Sequence, residues 1–384
     1  MRDVPDAPRW EQRPRRRGEG AVTAAMIVLP LLTLLLVLVF IPARTAVQAP
    51  TAPEVPERFS QQINNLLEQN LEGYTYIHKH YRIAAGSLPA KPQPGGYGAT
   101  ADPAEVQAVI DAAADLMEGE VIVGWTPETE LRPGSQVKYY YDETILVLTW
   151  QELSQGRICT WCEVKLADIS QLRRKLSGDQ YGSPVQMPAS MLARQDNAVA
   201  AVSGDFYSNR TAGIHVYNGT LYLVSGWNAD TCFFTRSGDM ILVHRGEITS
   251  WAQADAFVRE NDILFSVAFG PVLVENGQID IPWDYEWGEM RDVYARAAMS
   301  QLGHLHYLFL AANTGDDHKE RFTGLETAQL MVDHGCTMAY NMDGGQTAEV
   351  ILGNELVNLP EFHIERQVSD AICFASALPE GGAA

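Results

Sequence analysis

Positive charge is scarce in this sequence. Lysine and arginine number 28 against 48 aspartates and glutamates, so the 384 residues carry a formal net charge of −20. Such a chain repels a polyphosphate backbone, which sets nucleic-acid binding aside. Broad attraction to anionic lipid or wall polymer is disfavoured for the same reason, and any anionic ligand must be held by local basic groups. The sequence also lacks a Gly-x-Ser-x-Gly elbow and a Gly-rich phosphate loop, so serine-hydrolase and nucleotide-binding readings have no support. Cysteine is sparse, with five in all. Cys159 and Cys162 form a C-x-x-C, but no second ligand pair lies nearby to make a zinc site. In a strand over Arg157–Val164 the two thiols point to opposite faces. They read as ordinary cysteines, or as a local disulfide at a bulge. Cys232, Cys336 and Cys373 stand in apolar surroundings and read as core.

What is present divides the chain. Arg2, Arg9, Arg13, Arg15, Arg16 and Arg17 crowd residues 1–20, and an apolar run follows from Ala21 to Ile41. Spanning the hydrocarbon core takes about 20 such residues, and the basic tail stays cytoplasmic by the positive-inside rule. Residues 21–42 are therefore expected to be a transmembrane helix, with everything beyond it extracytoplasmic. The alternative is a secreted chain cleaved near Ala49, but the run exceeds the roughly 7–15 residues of a signal-peptide core. Prolines 50, 53 and 56 make residues 43–57 a stiff linker. Residues 58–156 read as an accessory region. In it Phe59, Ile63, Leu67 and Leu71 recur at helical spacing, Ser87–Thr100 reads as loop, Pro103–Met117 as a helix capped by Asp102, and Lys138–Trp150 as a strand.

From about residue 157 to 378 the texture changes to short strands with tight turns. Asn218-Gly219, Asn276-Gly277 and Gly353-Asn354 each separate two β-rich runs, the strongest short-range signal of a hairpin. Helices are expected at Asp168–Leu176, Trp251–Glu260 and Gly324–His334. The last has a capping box of Thr323 with Glu326, and Gly335 where it should stop. The expected class is α+β, with a largely antiparallel sheet and flanking helices.

Five segments in this region, in the right order and spacing, resemble the motif set of the phosphodiester glycosidases, the family of the lysosomal uncovering enzyme and of many bacterial exopolysaccharide-associated proteins. They are Ala198–Tyr207 with Ser203-Gly204-Asp205; Phe265–Gly277 with Gly270-Pro271; Arg296-Ala-Ala before the strand Leu305–Leu310; Gly335–Thr347 with Asp343-Gly344-Gly345-Gln346-Thr347; and Glu365–Asp370. The family's usual Asn is Ser203 here, and its Gly-Ser after Asp-Gly-Gly is Gln346-Thr347.

The resemblance implies a hydrolase that cleaves a sugar-1-phosphodiester at the glycosidic C–O bond, releasing free sugar and a phosphate monoester. Such chemistry usually takes two carboxyl groups around an oxocarbenium-like transition state. Asp205 and Asp343 are the candidates, each in a Gly turn after an apolar strand. Arg296 and Arg366 are candidate phosphate clamps, since guanidinium meets phosphate with two parallel bonds. Gly344 and Gly345 free backbone N–H groups for oxyanions, Ser203 and Thr347 offer hydroxyls, and Gly204, Gly270 and Gln346 complete the expected substrate-binding set. The expected partner is a sugar-phosphate or glycan substrate. No cofactor is called for, although a divalent cation is not ruled out. His304 and His306, two apart on a presumed strand, share one face but lack a third ligand, and read as packing or hydrogen-bonded residues. Two other readings stay open: a metal-dependent phosphodiesterase cleaving P–O, and a non-catalytic glycan-binding surface protein.

Overall fold

The computed structural model describes residues 81–285, 290–312 and 321–379. The basic tail, the apolar run of 21–42, the Pro-rich linker and the helix expected at Phe59–Leu71 lie outside these residues. Among the described residues no helix is long and apolar enough to cross a membrane.

The architecture is mostly antiparallel sheet with a few helices. The largest sheet has nine strands in the order Tyr97–Thr100, Val137–Asp142, Ile145–Ser154, Arg157–Leu166, His306–Ala312, Arg296–Gly303, Ala339–Met342, Val272–Glu275 and Gln278–Ile279. Every neighbouring pair is antiparallel. Strands on both sides of residue 157 thus share one sheet, and the change in texture falls at the hairpin turn between Ser154 and Arg157.

This sheet is buried on both faces, which is why its central strands read as nearly continuous apolar runs. Along Arg157–Leu166 the side chains alternate between two cores. Cys159 and Trp161 pack with helix residues Val106, Leu116, Ala328 and Met331. Cys162 and Val164 pack with Val202, Ile372, Phe234 and Leu242. The two thiols of the C-x-x-C therefore sit on opposite faces, and all five cysteines are buried and free.

A second antiparallel sheet, in the order Glu355–Leu356, Val350–Leu352, Ala200–Ser203, Asp370–Phe374 and Leu172–Leu176, packs against the Cys162 face. A third, of Met240–Val243, Thr231–Thr235 and Ile263–Val267, closes the same core. The turns Asn218-Gly219, Asn276-Gly277 and Gly353-Asn354 join hairpins, with Asn218 and Asn276 at positive φ as that turn chemistry demands. The helix Trp251–Glu260 is capped by Ser250. The helix Gly324–Asp333 has its Thr323–Glu326 box and stops at Gly335 with φ +76°.

Two expectations are corrected. Asp168–Leu176 is not a helix: a single 3₁₀ turn, Ile169–Gln171, capped by Asp168, leads into the strand Leu172–Leu176. Leu172, Arg174 and Leu176 are the buried positions, a period of two rather than 3.6. Likewise the end of the expected Ser87–Thr100 loop is an edge strand. Its Gly98 lies so close to the Tyr139 ring that a Cβ would come within 2.2 Å of it.

Candidate functional site

Asp205 leaves the strand Ala200–Ser203 through Gly204 and is 2% exposed. Its Oδ2 accepts the Ala268 N–H at 2.8 Å, and its Oδ1 accepts the Phe206 N–H at 2.6 Å. Its own N–H donates to Oδ1 of Asp370 at 2.7 Å. Between the two aspartates stands Arg174, fully buried, donating through Nε to Asp370 at 2.5 Å and lying 3.4 Å from Asp205 through Nη2. Its third nitrogen donates to the Ser266 carbonyl. Burial works against the Arg174 charge, but Asp370 and Asp205 more than offset it and hold the guanidinium above its ordinary value. Burial likewise pushes the Asp370 carboxyl up, with Arg174 opposing. Gly204 is required here, because a Cβ would meet Asp370 Oδ1 at 2.5 Å.

The Tyr207 ring lies under Arg174 at 5.2 Å and stacks on Tyr181 at 4.8 Å. Tyr181 stacks in turn on Tyr222 at 4.2 Å, and Tyr222 reaches the surface. The Tyr181 hydroxyl bonds Nδ1 of buried His215 at 2.5 Å. A cavity of about 370 Å³ opens beside Tyr181, Tyr207 and Ser208. A larger one, about 830 Å³, lies elsewhere along Arg82, Arg173, Lys175 and Arg236. Each of those cations faces a carboxylate, Asp168, Asp196, Asp179 or Asp262 respectively, so the cavity offers little net positive field.

Asp343 follows the strand Ala339–Met342 and is differently placed. Its Oδ2 accepts from Arg366 Nη2 at 2.8 Å, and the Arg366 side chain is 36% exposed. Arg366 also lies 4.9 Å over the Phe206 ring, which ties it to the Asp205 turn. Burial pushes Asp343 up to about 6; Arg366 and the Thr347 hydroxyl pull it down, while the charge of Asp205 adds to the rise. The two aspartates are thus within electrostatic reach of each other.

The other residues expected at the site make contacts within the protein. Gly344 is forced by close approach, since a Cβ would meet the Ala295 carbonyl at 2.5 Å; Gly345 has φ +65° and donates its N–H to that carbonyl at 2.8 Å. Ser203 donates its hydroxyl to the Thr347 carbonyl and accepts the Glu349 N–H at 3.3 Å, which joins the two aspartate turns. The Thr347 hydroxyl donates to the Gly344 carbonyl at 2.7 Å. Gln346 is on the outside, near the Ile364 carbonyl at 3.3 Å. Gly270, at φ +72°, has Tyr285 against it and its carbonyl bonded by Asn341 at 2.8 Å.

Arg296 is neighbour to Asp343 in backbone, because Ala297 pairs with Met342. Its side chain, however, donates through Nε to the Phe322 carbonyl at 3.0 Å and through Nη2 to the Asp292 carbonyl at 2.7 Å. His304 and His306 do not form a chelate. His304 sits in a turn 3.9 Å from Asp239, while His306 is held by Glu120 and Glu163 at 2.7 and 2.8 Å. Leu305 between them has φ +54°, which breaks the strand alternation.

Sequence reasoning missed three residues here. Arg174 was hidden by the helical reading of its segment. Arg210 lies three residues beyond the Ala198–Tyr207 motif; it donates to the Ala268 and Phe269 carbonyls at 2.9 and 2.5 Å, and its charge acts on Asp343. Glu349 is 1% exposed, with Glu365 against it. Burial pushes it up to about 9; Glu365 adds to the rise and Arg366 opposes it.

Residues 196–375 match the phosphodiester glycosidase family. The matched segment runs from the turn before Ala198 to the end of the strand Asp370–Phe374, so it holds Asp205, Arg210, Asp343, Glu349 and Arg366. Arg174 lies before it. A curated relative is an uncharacterized protein, YomE, of Bacillus subtilis SPbeta prophage derivation. It is 23% identical over 188 residues, covering 48% of this chain and 28% of that protein. The chain therefore spans under a third of that relative. Among solved structures, the catalytic domain of zebrafish N-acetylglucosamine-1-phosphodiester α-N-acetylglucosaminidase, auto-inhibited by its pro-peptide, is similar with TM-score 0.48 and 14% identity, over 80% of this chain and 94% of that one. A hypothetical protein from Synechocystis is similar with TM-score 0.45 and 13% identity, over 65% and 64%.

Proposed function

We propose that this glycosidase-like domain is a hydrolase of sugar-1-phosphodiesters, cleaving the glycosidic C–O bond. The observation that carries the reading is Asp343, a buried carboxyl near pKa 6, paired with a partly exposed arginine and within reach of a second carboxylate. Ionised, Asp343 can take a proton from water as that water attacks the anomeric carbon. The C–O bond breaks, and its electron pair leaves with the phosphate monoester. Phosphate is a good leaving group, so little proton donation is needed, but its charge must be met. In this reading Arg366, partly exposed beside Asp343, meets that charge, and Arg210, whose charge also acts on Asp343, adds to it. Asp205 stabilises positive charge developing on the sugar from a fixed position. Arg296 here serves as a brace that holds its own strand, which pairs with the Asp343 strand, to the Phe322 segment. The Tyr207–Tyr181–Tyr222 stack supplies an aromatic wall on which a sugar ring can pack.

The Arg-rich tail and the run of residues 21–42 support a single-pass anchor with this domain outside the cytoplasm, acting on surface glycan or exopolysaccharide. Protease added to intact cells should digest the part beyond residue 50 and spare the tail; a fully protected C-terminal part contradicts that topology.

The activity is tested by screening the full-length chain on a panel of sugar-1-phosphodiesters, with Asp343→Asn as control. Free sugar should appear with the wild type and fall at least about 100-fold with the variant. Equal release by both, or none on any substrate, overturns the reading.

A further inference from the structure

Away from the two aspartate turns, three chain segments bring ligand-type side chains to one point. His244 follows the strand Met240–Val243, Glu275 ends Val272–Glu275, and Asp280 follows Gln278–Ile279. His244 Nε2 lies 3.2 Å from Asp280 Oδ2 and 3.8 Å from Glu275 Oε2. One ligand atom from each residue falls within 4.8 Å of the others. These separations suit a shared cation: with nitrogen and oxygen bonds of about 2.0–2.2 Å, neighbouring ligand atoms stand about 3–3.5 Å apart and opposite ones about 4 Å.

The other ring nitrogen separates this cluster from an ordinary surface ion pair. Nδ1 lies 3.5 Å from Oδ2 of Asp230, which is fully buried. Asp230 is fixed from behind, its oxygens accepting the Arg245 and Val272 N–H groups, both at 2.9 Å. A neutral imidazole has one N–H. Turned toward Asp230, it leaves the Nε2 lone pair facing two carboxylates, an arrangement that needs a positive charge between them. A buried carboxylate behind a histidine is also how proteins fix the tautomer of a metal-binding imidazole.

We propose that His244, Glu275 and Asp280 form a divalent-cation site, with Asp230 as the residue that orients the imidazole. One imidazole and two carboxylates suit Zn²⁺ or Mn²⁺ better than Ca²⁺, which takes six to eight oxygens. Asp280 is half exposed, so water can complete the coordination. The role is structural. The Asp230 carbonyl accepts from Tyr340, on the strand leading to Asp343, at 2.8 Å. The Asp230 N–H donates to Tyr285, the residue packed on Gly270, at 2.8 Å. An ion here would clamp three strand ends beside two of the family motifs.

The test is titration of the chelator-stripped full-length chain, in detergent, with Zn²⁺ or Mn²⁺ alone, followed by calorimetry and thermal melting. About one equivalent should bind and raise Tm, and His244→Ala and Asp280→Asn should each weaken binding at least tenfold. Asp280 is at the surface, so its variant should fold as the wild type does, which keeps the test valid if the histidine variant does not. No binding at millimolar ion, or wild-type affinity in Asp280→Asn, overturns the proposal and leaves a protonated histidine between its carboxylates.

Discussion

Asp205 and Asp343 occupy similar turns after similar strands, yet their surroundings differ. Asp205 is locked: two backbone N–H groups, a buried arginine and a second buried aspartate fix its position. Asp343 leans on one arginine that is itself partly in water, and its carboxyl is pushed up to about 6. The first carboxylate is positioned and the second can change charge near neutral pH. Separating two carboxyl groups in this way is a familiar means of assigning them different work. Four perturbations test whether the difference is real.

The largest effect should come from Arg174. Arg174→Met leaves Asp370 and Asp205 buried without their cation, and stability should fall by about 3–5 kcal/mol, measured by urea unfolding. A loss under about 1 kcal/mol would mean that the Asp205 side is no more locked than the Asp343 side. Next, Asp343→Asn should cost about 100-fold or more in kcat on a responsive substrate while Tm moves little. A variant that unfolds instead would place Asp343 among the structural residues.

Glu349→Gln concerns stability on the Asp343 side. The folded value of Glu349 is raised from 4.5 to about 9. The stability of its neutral form is therefore intact below about 4.5 and is lost as pH rises toward 9. Glutamine is neutral throughout, so at pH 8 the variant should be the more stable by about 1–3 kcal/mol, with the gap closing toward pH 5. A constant gap across that range contradicts a neutral Glu349. The smallest effect is a displacement of the pH profile. If ionised Asp343 is the base, kcat/KM should rise with pH through about 6. Arg366 holds that value down, so Arg366→Gln should move the rise to higher pH. An unmoved profile would show that another group titrates.

Much of the fold was legible because its signals are local. Asn-Gly turns demand positive φ, a capping box needs only four residues, and the Asp205 and Asp343 turns show their glycines. The rest depended on contacts remote in sequence. Leu172-Arg-Arg-Lys-Leu176 is too short for periodicity alone to separate strand from helix. Only pairing with Asp370–Phe374 turns Arg174 inward, where it meets Asp205, 31 residues on. Glu349 resembles any strand-edge glutamate until packing removes its water. Nor can sequence show the Arg296 guanidinium bonded to the Phe322 and Asp292 carbonyls.

The central claim is that water adds to the sugar and not to the phosphorus. It is tested most directly by turnover of a responsive sugar-1-phosphodiester in ¹⁸O-water, with both products weighed by mass spectrometry. The account predicts label in the released sugar and none in the phosphate monoester; label in the phosphate would contradict it.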